Sequence, residues 1–208
     1  MSLMIAEKIR RELRARASAA KARILQGFFK TAPGEYGEGD VFLGLTVPAC
    51  RAVVKKYWSE AGLPDIENLL HSGIHEERET ALFILVEQYV KAEKLHGNAA
   101  GDKSGNSPEK ARNEIFRFYL KNTKWINNWD LVDLSCRFIV GEHLQKCGRE
   151  PLYRLARSAS LWERRIAIVS TYAYIRKNDL DDTFALSELL LKDRHDLMHK
   201  AVGWMLRE

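Results

Sequence analysis

The sequence predicts an all-α protein of stacked helix pairs, and three observations carry that reading. Period-two alternation of the kind that marks strands is nearly absent. From Pro64 onward one pattern recurs, a short helix, a tight connection and a longer helix. The helix starts carry Pro, Ser or Asp where a first turn needs them. A pair of this kind cannot bury its apolar face alone, so the pairs must lie against one another in a curved stack with one concave side.

Taken in order, Met1-Ser2-Leu3 ahead of Met4 reads as an expression leader. Residues 4–31 form an amphipathic helix or helix pair, with Ile5, Ile9, Leu13, Ala17, Ile24, Leu25 and Phe28 at helical spacing and a basic side that includes Arg10, Arg14 and Arg16. Three glycines and a proline between Thr31 and Asp40 rule out regular structure there. Val41 to Leu45 is a short apolar plug, and Thr46 caps a helix with Pro48 in its first turn. Four pairs follow: Pro64–His71 with His75–Lys94, Pro108–Asn122 with Asn128–Lys146, Pro151–Ser158 with Leu161–Lys177, and Asp182–Lys192 with Asp193 to the end. Ser160 and Glu163 have the spacing of a capping box, and Asp193 reads as a cap. The interval 96–107, rich in Gly, Asn, Ser and Ala, is expected to be a mobile loop, in which Lys103 either lengthens contact with a partner or, as the favoured alternative, does nothing. Residues 4–208 are thus expected to be one repeat domain, with N-terminal helices over 4–60 and helix-pair repeats over 64–208. The chain ends at Glu208 in mid-helix by pattern, without a glycine stop.

Composition narrows the function classes. The 208 residues are 46% hydrophobic, which excludes wholesale disorder, and 33 basic against 28 acidic side chains leave a net charge of +5 that admits a polyanionic partner. Cys50, Cys136 and Cys147 are widely spaced and form no Cys-x-x-Cys pair, which suits a reduced cytoplasmic compartment. No apolar run reaches the length of a membrane span and no signal-peptide core is visible, so no membrane partner is expected.

Chemistry concentrates between Lys124 and Asp133, where indoles, amides and carboxylates crowd together. Asn127 or Asn128 can cap a helix that begins near Trp129, and Trp129 and Asp133, four apart, share its face. Laying the second helices of the pairs over one another puts Glu79, Asp133, Arg165 and Lys200 in equivalent positions, with Trp129, Trp162 and Trp204 within a turn of the last three. Cations there can neutralise phosphates and indoles can lie against sugars or bases. A lone acid among them would repel DNA unless it stabilises a cationic centre or aligns a water, the alternative being that Asp133 simply pairs with Arg165.

Three motifs carry a resemblance. Asn127-Asn128-Trp129-Asp130-Leu131-Val132-Asp133, Leu161-Trp162-Glu163-Arg164-Arg165 and Lys200 to Glu208 resemble those of the AlkD-type DNA alkylation repair glycosylases, and Phe42-Leu43-Gly44-Leu45 before Thr46-Val47-Pro48 is similar to that family's N-terminal signature. The resemblance runs from about Phe28 to the end. It implies an alpha-alpha superhelix of HEAT-like repeats that hydrolyses the N-glycosidic bond of cationic N3- or N7-alkylpurines in duplex DNA, acting as a monomer without flipping the base into a pocket. It further implies that Asp133 is the catalytic carboxylate, that Trp129 and Trp204 flank the damaged nucleotide, and that Arg165 is the groove arginine; the recurring column itself makes Arg165, Lys200 and Trp162 the expected DNA contacts. Family members continue through further helical residues beyond the point where this chain ends.

Other readings are weaker. His195 and His199 have the spacing of two zinc ligands but lack the glutamate of a zincin, and His71 and His75 straddle a glycine, so neither a metal nor a cofactor is expected. Ser135 beside Cys136 has no base within reach in sequence. Tyr36 and Asp40 could approach DNA from the glycine-rich loop. Against the glycosylase stand a non-catalytic DNA-binding module of the same fold and a protein-binding helical scaffold.

Overall fold

The computed structural model describes residues 4–92, 94 and 107–208. The expected loop at 96–107, Lys103 included, lies outside the described residues except for Ser107. The described chain is helical, and its nearest approach to a strand is a single bridge between Val41 and Ile74. Two compact units emerge, Met1–Lys91 and Ala92–Glu208.

In the first unit, residues 4–31 divide into α1 (Ile5–Arg14), which buries Ala6, Ile9 and Leu13, and α2 (Ala19–Phe28), capped by the Ser18 hydroxyl. The basic side of α1 is partly neutralised, since Arg10 and Arg14 both reach Glu77. Helix α3 (Val47–Tyr57) begins at Thr46, although the threonine hydroxyl makes no capping bond, and α4 (Leu63–Leu70) leads into α5 (His75–Val90). Nearly every residue of α5 from His75 to Leu85 is buried, so this helix forms the centre of the unit.

The apolar plug has a specific anchor. The buried Glu76 carboxylate accepts the backbone N–H groups of Leu43, Gly44 and Leu45 at 2.9, 2.8 and 3.1 Å. Gly44 is required there, because a Cβ would stand 2.2 Å from the Ser18 carbonyl oxygen and φ is +81°. Asp40 does not reach outward from its loop. It is buried against His75 Nδ1 at 3.0 Å and Arg78 Nη2 at 2.6 Å, which corrects the expectation of a DNA contact.

The second unit contains three helix pairs. Helix α6 (Pro108–Lys121), capped by Ser107, is followed by α7 (Trp129–Asp133), a π-helical turn over Arg137–Gly141 and α8 (Glu142–Cys147). The single helix expected over Asn128–Lys146 is therefore interrupted. The break falls at Ser135, whose hydroxyl donates back to the Leu131 carbonyl at 2.6 Å, a bond that favours bending of the helix. Helix α9 (Glu150–Ala156) pairs with α10 (Leu161–Ser170), which continues as α11 (Tyr172–Ile175) after a break where Ser170 and Thr171 back-bond in the same way. Helix α12 (Asp181–Leu190) pairs with α13 (Asp196–Arg207).

Two start signals act differently from expectation. Ser160 caps α10, but Glu163 does not complete a capping box; it accepts instead from the Thr123 hydroxyl at 2.7 Å. The cap of α13 is His195, whose Nδ1 accepts from Leu197 N, while Asp193 holds the His195 N–H one step earlier.

Candidate active site

The site is built on the short helix α7. Asn128, fully buried, starts it by accepting the Trp129 N–H at 2.8 Å, and the helix ends five residues later at Asp133. Trp129 and Asp133 consequently stand one turn apart on one face, and Trp129 is half-buried.

Arg165 meets Asp133 from α10. Its Nε donates to Oδ1 at 2.9 Å and its Nη2 to Oδ2 at 2.7 Å, while Nη1 donates to the Leu197 carbonyl of α13 at 2.5 Å. One guanidinium thus ties three helices together. The neighbouring Arg164 turns away to Asp193, with Nε on Oδ2 at 2.6 Å, so of the two consecutive arginines it is Arg165 that faces the carboxylate. The pair is not sealed, because the Asp133 side chain remains 17% exposed and the Arg165 side chain 6%.

Burial pushes the Asp133 carboxyl above its ordinary range. The Arg165 hydrogen bonds and charge oppose that shift, Asp130 adds to it, and Arg137 opposes it again. The net result is a carboxylate that is oriented and more basic than a surface aspartate. Its two oxygens offer about four lone-pair positions, of which Arg165 takes two. The others are available to a water or a substrate atom at the exposed edge.

Arg137 and Tyr172 extend this arrangement, and sequence reasoning missed both. Arg137 opens the π-helical turn one turn after Asp133, and its guanidinium lies over the rings of Phe138 at 4.6 Å and Tyr172 at 4.9 Å. The Tyr172 ring is 6.2 Å from that of Trp204 on α13, and the Trp204 indole N–H donates to Glu208. A chain of contacts therefore runs from the neighbourhood of Asp133 through Arg137 and Tyr172 to Trp204. The four-residue step from Asp133 could have pointed to Arg137. Nothing local pointed to Tyr172, which follows the break after Ser170.

The remaining expected residues are more dispersed. Lys200 is 67% exposed and pairs with Asp196 at 2.7 Å, not with Asp133. Trp162 is half-buried in the first turn of α10, three residues before Arg165. Glu79 is buried within the first unit.

Neither nucleophile candidate holds a catalytic setting. Ser135 is buried between Tyr119 OH and the Leu131 carbonyl, and burial raises the Cys136 thiol to about 12. His195 and His199 are engaged with Leu197 N and the Asp193 carbonyl, and no cluster of three metal-capable side chains occurs among the described residues. No helix among the described residues is long and apolar enough to cross a membrane.

No curated protein matches the chain. A family model described as "DNA alkylation repair enzyme" matches residues 9–208, nearly the whole length, and the chain therefore belongs to the DNA alkylation repair enzyme family.

Proposed function

We propose that the protein is a monofunctional DNA glycosylase that hydrolyses the N-glycosidic bond of positively charged N3- and N7-alkylpurines in duplex DNA. The observation that carries this reading is the Asp133–Arg165 pair, an oriented carboxylate with raised basicity that keeps an edge open to solvent in a family that repairs alkylated DNA.

A purine alkylated at N3 or N7 already carries positive charge, so it departs without a strong general acid. The C1′–N bond breaks with its electron pair leaving on the base, which becomes neutral, and the positive charge passes to the deoxyribose as an oxocarbenium ion. The ionised Asp133 stabilises that charge, assisted by the electron-rich faces of Trp129 and Trp204. Water then adds at C1′, and its proton passes to Asp133 and on to solvent. Arg165 acts as the positioning residue that holds Asp133 in its rotamer. Lys200, exposed on α13, and Trp162 serve as contacts to the DNA. This route needs no pocket for a flipped base, in contrast to the usual strategy of base-modifying enzymes, and the helix pairs support the reading of a HEAT-like repeat protein.

The test is timed release of free methylated purines from randomly methylated duplex DNA, by the wild-type protein and by Asp133→Asn. Release by the wild type with near-complete loss in Asp133→Asn is expected. A wild type that releases nothing overturns the enzymatic reading. The second reading, a DNA-binding module without turnover, is favoured by the fact that both Asp133 oxygens already accept from Arg165; it predicts salt-sensitive binding with no base released.

A further inference from the structure

The two arginines nearest Asp133 differ in one respect that bears on DNA binding. Arg165 is buried, and each of its three nitrogens donates to the protein, two to Asp133 and one to the Leu197 carbonyl. A phosphate could claim it only by dismantling the carboxylate's support. Arg137 is the converse. It makes no hydrogen bond to any described residue, its Nε is buried without an acceptor, and its guanidinium lies over the two rings.

A guanidinium presents five N–H donors in one plane. Stacking on aromatic faces satisfies its apolar surface and restricts its orientation but leaves those in-plane donors unmet. A half-buried cation with this deficit is suited to an incoming anion that accepts along the edge of the plane, and a phosphate diester oxygen is the planar fork's natural partner. Asp133 makes no hydrogen bond to Arg137; both of its oxygens accept from Arg165. Placement at the start of a π-helical turn fits as well, since such turns occur frequently at functional sites.

We propose that Arg137, held over Phe138 and Tyr172, binds a backbone phosphate of the damaged strand beside the lesion, and that Arg165 serves the carboxylate and not the DNA. The assignment rests on the DNA-binding part of the function proposed above and does not require turnover.

The test is binding of a fluorescent duplex carrying a tetrahydrofuran abasic site, measured by anisotropy across a salt series. Arg137→Gln is expected to weaken binding on the order of tenfold at low salt and to reduce the slope of log K against log[salt] by about one. Arg137→Lys keeps the charge and is expected to keep the slope while losing the fork's share of the affinity. Methylphosphonate substitution of the phosphates flanking the abasic site, one at a time, gives a test on the wild-type chain: one position must weaken wild-type binding and leave the binding of Arg137→Gln unchanged. If Arg137→Gln does not fold, the wild-type scan together with Arg137→Lys decides. Unchanged affinity and slope in folded Arg137→Gln, or no sensitive phosphate in the wild type, overturns the assignment. Base release measured on the same preparations keeps the two failures apart: a protein that releases base but ignores Arg137 refutes the assignment alone, whereas one that binds no duplex refutes the DNA reading with it.

Discussion

Arg165 and Asp133 face each other edge to edge across α10 and α7, with donor–acceptor distances of 2.9 and 2.7 Å, and the third arm of the same guanidinium is anchored on the Leu197 carbonyl of α13. Lysine cannot reproduce that fork. Arg165→Lys is expected to lower base release tenfold or more with modest loss of stability. Arg165→Met leaves a mostly buried carboxylate without its partner and is expected to cost roughly 2–4 kcal/mol. Urea unfolding and timed release on the two variants check the ordering; equal behaviour of the two would sink the fork argument.

Acid should silence the enzyme earlier than an ordinary aspartate would suggest. Burial raises the Asp133 carboxyl, so the ionised form is lost as pH falls through a value above the usual ~3.9. The same shift has the opposite sign for stability. A folded-state value above the unfolded one means that this group favours the fold most below the ordinary pKa, and that contribution disappears as pH rises through the raised value. The pH profile of single-turnover base release, recorded alongside thermal unfolding, should show an acid limb above that of a surface aspartate.

Gly141 sits where the π-helical turn passes the end of α10. A Cβ there would lie 2.4 Å from the Ser170 carbonyl oxygen and 2.9 Å from the Ala173 Cβ. Both contacts are with packed atoms that cannot move aside easily. Gly141→Ala is expected to destabilise by about 1–3 kcal/mol, a melting-temperature drop of several degrees. Ala at Gly203, where nothing lies within 4 Å, is the control and should be neutral or mildly stabilising in its helix.

Glu76 satisfies three consecutive backbone N–H groups with one buried side chain. Glu76→Ala strands those donors, and each unsatisfied buried N–H costs ~1–3 kcal/mol. A loss of roughly 3 kcal/mol or more is expected in denaturant unfolding, with accelerated amide hydrogen exchange at Leu43, Gly44 and Leu45. Exchange unchanged at those three amides would show that the carboxylate is dispensable.

Much of this is legible in the sequence alone. Helical spacing of the apolar residues placed α4, α6, α9 and α12 close to their observed limits, because those helices bury a single stripe or start at a proline or serine that fixes their ends. The interruptions after Asp133 and Ser170 were not legible. Ser135 and Ser170 are compatible with a regular helix, and back-bonding becomes a bend only when a packed neighbour selects it. Asp40 was misjudged for a related reason, since a loop acid looks solvated until His75 and Arg78 are brought against it.

The sequence by itself determined the helical class, the pairing of short with long helices, the family, and the placement of Asp133 one turn from Trp129, because each depends on spacing along a single helix or on motif identity. Tertiary structure alone decided that Arg165 grips Asp133 while Arg164 goes to Asp193, that Arg137 rests on Tyr172 with its Nε lacking an acceptor, and that Tyr172 leads on to Trp204. Those relations join residues about thirty positions apart, and which side chain meets which depends on helix rotation and packing between segments, information that no local periodicity carries.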